Sequence, residues 1–149
     1  MRPRDAVIPA GEQLYRTVDA DWVDGDRVLA FAIDGEGTSC DRSAYSSAEQ
    51  TLNAAQISRP AENGLVSITP GQLPVALTAS NDVAYDVFAY DEPVPAYEAH
   101  CEIRWRRVND RPSTDHFKKV KGAAKEELKT AIADRMMILV APTPLQAAV

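Results

Sequence analysis

The chain has 149 residues, of which 45 % are hydrophobic and 26 % charged, and its formal net charge is −6. This length is that of one ordinary domain, and the composition argues against an intrinsically disordered chain. The longest apolar run, residues 136–142, is far too short for a membrane-spanning helix, and two cysteines are too few for a disulfide framework. The opening residues lack the apolar stretch of a signal peptide, so we expect a soluble, cytoplasmic protein with a single domain over residues 1–149.

The first half of the chain predicts short strands and one helix. Pro3 and Pro9 interrupt any regular element, so residues 1–13 are expected to form an irregular arm. Ser46 and Glu49 have the spacing of a capping box, in which each side chain bonds the other residue's backbone N–H at a helix start. The predicted elements are a strand or a single helical turn at residues 14–18, a strand at 28–33, a helix from Ser46 to about Gln56, a strand at 65–68 and a short helix that starts at Thr69.

The strongest structural signal is a pair of alternating segments. Over residues 83–90 the odd-numbered positions form one apolar set, which alternates with Ala84, Asp86, Phe88 and Tyr90, and over residues 97–106 apolar and polar residues alternate. This period of two is that of strands with one buried face. The connection at residues 91–96 predicts an antiparallel hairpin with a longer loop. Cys101 shares the apolar register of the second strand and is expected to be buried, so its neighbour His100 points to the opposite face.

The last third of the chain predicts an amphipathic helix. Apolar residues recur at spacings of three and four over residues 117–136, lysines lie on the opposite side, and Ser113 or Thr114 can cap the helix. Residues 136–140 either extend this helix or form a closing strand, and the tail at residues 142–149 is expected to fray. Together these elements predict an α+β fold, in which a small, largely antiparallel sheet packs against the C-terminal amphipathic helix.

Charge is unevenly distributed along the chain. Residues 1–100 contain six arginines and sixteen acidic residues, a net charge of −10, whereas residues 101–149 carry +4. All five lysines lie between Lys118 and Lys129. The basic helix either lies against the acidic part of the same protein or offers a surface to nucleic acid. The overall negative charge of the chain favours the first interpretation.

Four short segments, scattered over most of the chain, form a pattern that can be compared with other proteins. They are Leu14-Tyr15-Arg16, Asp21-Trp22-Val23, Asn63 to Ser67, and the stretch PAYEAHCE at residues 95–102, which precedes the basic C-terminal helix. In these segments the chain resembles a loosely defined group of small, uncharacterised bacterial proteins. The resemblance implies a compact bacterial domain, and it implies no activity and no catalytic residue.

Residues suited to catalysis are few in this sequence. A cysteine nucleophile requires a base such as histidine beside it, and the candidates are Cys40 with His100 or His116. The chain has no G-x-S-x-G elbow, no phosphate-binding loop and no dinucleotide fingerprint, and its acidic loop at residues 19–26 fails the ligand spacing of an EF-hand. The sequence therefore predicts no catalytic residue, no metal site and no cofactor.

With catalytic signatures lacking and charge polarised, the sequence favours a small accessory protein that docks to a protein partner. We expect the contact to involve the hairpin loop, which is flanked by two tyrosines, and the basic segment at residues 104–129. Two alternatives stay open: a hydrolytic enzyme that uses His100 or Cys40, and a nucleic-acid-binding protein that uses the basic helix. The candidate partner-binding residues are Tyr90, Tyr97, Arg104, Arg106, Arg107, Lys118, Lys121, Lys125 and Lys129.

Overall fold

The computed structural model describes residues 1–111 and 120–145. Within these ranges the chain is α+β, with a curled antiparallel sheet and two helices, α1 (Ala48–Ser58) and α2 (Gly122–Ala133). The strands in chain order are β1 (Leu14–Val18), β2 (Val23–Asp24), β3 (Arg27–Val28), β4 (Thr38–Arg42), β5 (Gly64–Ile68), β6 (Leu77–Thr78), β7 (Ala84–Asp91), β8 (His100–Arg107) and β9 (Met137–Val140). The seven-stranded sheet has the order β6-β7-β8-β4-β1-β5-β9, and β2 and β3 form a separate hairpin.

The predicted antiparallel hairpin is confirmed and consists of β7 and β8. Its connection, residues 92–99, is longer than expected because it contains a tight turn of its own. Val94 and Tyr97 exchange two backbone hydrogen bonds, of 3.3 and 2.9 Å, around Pro95 and Ala96. The apolar register of β8 forms a fully buried face that consists of Cys101, Ile103 and Trp105.

The prediction of a strand over residues 28–33 is wrong. Val28 ends the short strand β3, and Ala30–Ala32 form a 3-10 turn. An apolar run without alternation does not distinguish a strand from other buried segments. Here the turn divides the run, so that Val28 and Ala32 are buried while Phe31 is 72 % exposed.

Helix α1 begins close to where its capping box was predicted, but the box is shifted by one residue. The hydroxyl of Ser47 accepts from the backbone N–H of Gln50 at 3.1 Å, and the Gln50 side chain accepts from the Ser47 N–H at 2.8 Å. The Ser46 hydroxyl instead lies 3.1 Å from that of Thr51. Gln50 completes the box as well as the predicted Glu49 would, because a side-chain carbonyl oxygen is all that the N-cap N–H requires.

Helix α2 begins at Gly122, later in the chain than the sequence pattern suggested. Gly122 has a φ of +65°, a left-handed value that disfavours residues with a Cβ by about 1–2 kcal/mol. A regular helix therefore does not run through this position. The predicted caps, Ser113 and Thr114, fall in residues 112–119, outside the described part of the chain.

The C-terminal helix is amphipathic, with Leu128 and Ile132 fully buried. Its most extensive contacts are with the 3-10 turn Ala30–Ala32, and the expected packing of this helix against the sheet is not confirmed. Of the two alternatives for residues 136–140, the closing strand is correct, because β9 pairs with β5 at one edge of the sheet. Neither helix in the described ranges is both long and apolar enough to span a membrane.

The N-terminal arm has no helix or strand before β1, and ion pairs fasten it to the sheet. Arg2 donates to both carboxylate oxygens of Asp91, at 2.6 and 2.7 Å. Asp5 and Glu12 accept from the buried Arg42 on β4, each at 2.7 Å. The arm therefore supplies charged partners to side chains that the sheet buries.

Candidate functional site

One face of the sheet carries a row of polar residues across four neighbouring strands. His100 on β8 lies opposite Asp41 on β4, Asp41 lies opposite Tyr15 on β1, and Tyr15 lies opposite Ser67 on β5. Side chains that are directly opposite have Cβ atoms about 4.5–5.5 Å apart, so the row is continuous. A sheet face that a helix covers is ordinarily apolar, and this one is not.

A cavity of about 620 Å³ lies over this polar face. Its volume falls within the range of small-molecule sites. Helix α1 borders the cavity. The hairpin loop contributes the aromatic side chain of Tyr97, and the segment before β2 contributes that of Trp22. Six of the residues around it are Ser39, Asp41, Thr51, Trp22, Tyr97 and His100.

Ser39 and His100 form a hydrogen-bonded pair at the cavity. The Oγ atom of Ser39 lies 3.2 Å from Nε2 of His100, and Nδ1 of His100 lies 2.9 Å from the backbone carbonyl oxygen of Glu92. A carbonyl oxygen can only accept, so in neutral His100 the proton is on Nδ1 and Nε2 accepts from the serine hydroxyl. This is the arrangement of an activated serine: the base is oriented by a third group and the hydroxyl is exposed.

The ring of His100 is also held from the side. Tyr97, which is 40 % exposed, lies against it with ring centroids 5.2 Å apart and planes inclined at 35°. The tyrosine therefore restricts rotation of the imidazole and forms part of the cavity wall.

Asp41 is a buried carboxyl group beside this pair. It is 6 % exposed, and one carboxylate oxygen accepts from the hydroxyl of Thr51 at 2.7 Å. Burial raises the pKa of Asp41, although the hydrogen bond from Thr51 and the neighbouring His100 act in the opposite direction.

Arg16 brings a positive charge to the cavity where β1 and β4 separate. Its Nε donates to the carbonyl of Ala32 at 2.7 Å and its Nη1 donates to the carbonyl of Ser39 at 2.9 Å. Its guanidinium carbon lies 5.8 Å from the centre of the Trp22 ring. Neutral carbonyls and an aromatic ring orient this cation without neutralising its charge.

A second arginine, Arg59, borders the cavity, but the carboxylate of Glu62 compensates its positive charge. Its Nε lies 3.0 Å from a carboxylate oxygen of Glu62, whose other oxygen accepts from the Thr17 hydroxyl at 3.2 Å. The side chain of Arg59 is 55 % exposed, so this pair lies at the solvent edge of the cavity.

The two cysteines lie opposite each other on β4 and β8, in the hydrophobic core. Both are free thiols, and both are buried. Burial raises the pKa of Cys40 to about 12 and raises that of Cys101 well above its ordinary value. Cys40 is therefore a neutral thiol at pH 7, and the adjacent Ser39, on the cavity face, is the better placed nucleophile. His116, the other predicted base, lies outside the described residues.

Several of the predicted partner-binding residues already have partners within the chain. The Tyr90 ring lies between the guanidinium groups of Arg4 and Arg104, at 4.0 and 3.9 Å from its centre. Arg104 also pairs with Glu92 and Glu102. These contacts support the interpretation that part of the basic segment compensates acidic residues of the same chain.

The other members of that set differ in their surroundings. Arg106 lies over the ring of Phe88 at 4.9 Å and has Asp86 at 3.7 Å, whereas Arg107 is exposed. On α2 and just before it, Lys121 is exposed, Lys125 lies beside Gly35, and Lys129 pairs with Glu126 at 3.7 Å. Lys118 lies outside the described residues.

Sequence reasoning missed Ser39, Asp41 and Arg16 as functional candidates. Ser39 and Asp41 lie on β4, which was not predicted because the segment TSCDR has no apolar alternation. Two polar residues separated by one position, next to a turn, are the weak signal that this strand offered. The pairing of β4 with β8 places these two residues beside His100, and the sequence alone does not show that pairing.

Among residues 1–111 and 120–145, no three His, Cys, Asp or Glu side chains are grouped to hold a metal ion. The chain matches no protein-family model, and no curated protein or solved structure is significantly similar to it. The resemblance to small bacterial proteins therefore stays a prediction.

Proposed function

We propose that the chain is a hydrolytic enzyme of the acyl-transfer class, with Ser39 as nucleophile and His100 as general base. The observation that carries this proposal is the hydrogen bond from Ser39 Oγ to His100 Nε2, with Nδ1 of the same ring fixed by the Glu92 carbonyl. A small ester or a related acyl compound is the substrate class, because the cavity has the volume of a small-molecule site.

The reaction follows from the protonation state of His100. Ser39 Oγ attacks the substrate carbonyl carbon while its proton passes to Nε2, and the carbonyl electron pair moves to oxygen. The bond to the leaving group then breaks, and His100 returns the proton to the leaving alcohol. Water, deprotonated by the same Nε2, hydrolyses the acyl-serine and restores Ser39.

Asp41 supports the charged intermediate of this sequence. Proton transfer makes His100 a cation, and the neighbouring carboxyl group stabilises that cation when it is ionised. Thr51 holds the carboxyl group in place through its hydroxyl. Asp41 acts through His100, so it is a positioning residue and not a catalytic one.

Covalent labelling tests the proposal most directly. A fluorophosphonate probe should modify the folded protein at Ser39, as identified by mass spectrometry, and Ser39→Ala should abolish labelling. Ser39→Ala should also lower hydrolysis of 4-nitrophenyl butyrate by at least about 100-fold. Ser58→Ala is the matched control, because Ser58 borders the same cavity and bonds the carbonyl of Ala54. Folded protein that is unlabelled at Ser39 would overturn the proposal.

A protein-docking role is the second candidate. It is favoured by exposed apolar side chains at one edge of the sheet, where Met137 on β9 is 63 % exposed and Leu139 is 45 % exposed, and by the exposed Tyr97. Affinity purification after nuclease treatment, with Tyr97→Ala as the comparison, separates this role from catalysis. A partner lost with Tyr97 while Ser39 stays unlabelled would favour docking.

Nucleic-acid binding through the basic segment is a weaker proposal, because Arg104 and Lys129 already face carboxylates. Such binding would weaken steeply with salt, which a titration at two ionic strengths measures. We also propose a cytoplasmic setting, which the two free cysteines support. Packing of α2 against the sheet is a further proposal, supported by a core cluster that includes both Leu128 and Ile103.

A further inference from the structure

The guanidinium group of Arg16 has unused hydrogen-bonding capacity at the cavity. A guanidinium has five N–H groups, and in Arg16 one on Nε and one on Nη1 bond to carbonyl oxygens. The side chain is half-buried, so water solvates its remaining N–H groups only in part. A partly buried cation with unused donors favours an anionic partner.

The charges around Arg16 do not supply that partner. Arg59 and Glu62 pair with each other at the solvent edge, and Asp41 bonds Thr51. No carboxylate among residues 1–111 and 120–145 forms an ion pair with Arg16. In the described part of the chain, Arg16 is therefore a cation at the cavity without a carboxylate partner.

Arg16 is also held in a fixed position relative to the nucleophile. Its Nη1 bonds the backbone carbonyl of Ser39, the residue whose hydroxyl faces His100. The Ala32 carbonyl and the Trp22 ring fix the other parts of the guanidinium. Arg16 and Ser39 border the same cavity, so an anionic group bound by Arg16 would share that cavity with the reacting serine.

We propose that Arg16 binds a carboxylate of the substrate, so that the enzyme acts on small acyl esters whose acyl group carries a negative charge. This inference rests on the proposed function for the reaction, but the binding of the anion by Arg16 does not require the reaction. Trp22 is the reporter residue, because its ring contacts the guanidinium.

The kinetic test compares two esters of similar size, the 4-nitrophenyl monoester of succinate and 4-nitrophenyl butyrate. They differ mainly in a terminal carboxylate or methyl group. The wild-type protein should prefer the succinyl ester by about 10- to 100-fold in kcat/KM, the equivalent of one charge-assisted hydrogen-bonded contact. Arg16→Met should remove this preference, Arg16→Lys should retain part of it, and Arg59→Met should retain it.

The binding test works without catalysis. In Ser39→Ala protein, monomethyl succinate should change Trp22 fluorescence while neutral methyl butyrate at the same concentration should not, and a further Trp22→Phe change assigns the signal. If the wild-type protein hydrolyses neither ester and is not labelled at Ser39, the proposed enzyme is refuted, and anion binding that Arg16→Lys weakens would still support this inference. A response unchanged in folded Arg16→Lys and Arg16→Met proteins, or no response at all, would overturn the inference even if both esters are hydrolysed.

Discussion

Replacing Arg42 by methionine should lower the free energy of unfolding by about 3–5 kcal/mol. The Arg42 side chain is 3 % exposed and bonds both oxygens of Glu12, at 2.7 and 2.9 Å, and one oxygen of Asp5 at 2.7 Å. Methionine fills a similar volume but donates nothing, so Glu12, 10 % exposed, would be left without a cation. Asp91, which lies 3.2 Å from Arg42, would keep its two bonds to Arg2.

Urea unfolding at pH 7, followed by far-UV circular dichroism, measures this loss as a lower midpoint at constant slope. Arg27→Met is the matched control. Arg27 is 61 % exposed and lies 3.6 Å from Asp134, so its removal should change stability by less than about 1 kcal/mol. If Arg42→Met lowered the free energy of unfolding by no more than Arg27→Met does, the inference that Arg42 compensates buried carboxylates would be refuted.

Three further predictions concern acid stability, thiol reactivity and one turn. Burial acts to raise the pKa of Asp91, but hydrogen bonds from Arg2, the Asp5 N–H and the neighbouring arginine on β4 lower it to about 2. Its stabilising contribution is therefore complete above about pH 4 and is lost as the pH falls towards 2. Urea unfolding over this range should show the loss as a slope of stability against pH, and Asp91→Asn should reduce that slope, to which Asp86, whose pKa a hydrogen bond from Arg111 also lowers, still contributes. Cys40 should react with iodoacetamide at pH 8 only in urea, because its pKa is about 12; rapid labelling without urea would contradict this. Ala96→Gly should raise stability by up to about 1 kcal/mol, since Ala96 has a φ of +65°, and an unchanged melting temperature would argue against backbone strain there.

The strand signal that the sequence carried most clearly is the period of two in the β7–β8 hairpin, whereas β5 was predicted from an apolar run and is buried along its whole length. Over residues 83–106 each strand has one apolar face, and the period of two is visible without any knowledge of distant contacts. Strand β4 lacks this signal because it buries polar groups. Asp41 is held by Thr51, and Arg42 by acidic residues of the N-terminal arm. These partners are distant in sequence, so no local sequence pattern indicates them.

Only part of the candidate site could be predicted from the sequence. His100 was recognised as a base, but its partner was sought at Cys40, one position away from Ser39. Because successive residues of a strand face opposite sides, that single position separates a buried thiol from a cavity hydroxyl. The choice depends on the register of β4 against β8, in which Asp41 lies opposite His100. Composition and motif spacing do not determine that register.

The polar row beneath α1 is difficult to explain as a stabilising device. A carboxyl group as buried as Asp41 is destabilising unless its hydrogen bonds are complete, and an apolar residue at that position would pack against the helix at no such penalty. Proteins retain such departures from the simple burial pattern mainly where function requires them. Here the departure coincides with an oriented histidine, an exposed serine and an arginine without a carboxylate partner among the described residues. Each feature alone has a structural explanation, but their convergence on one cavity favours catalysis over docking.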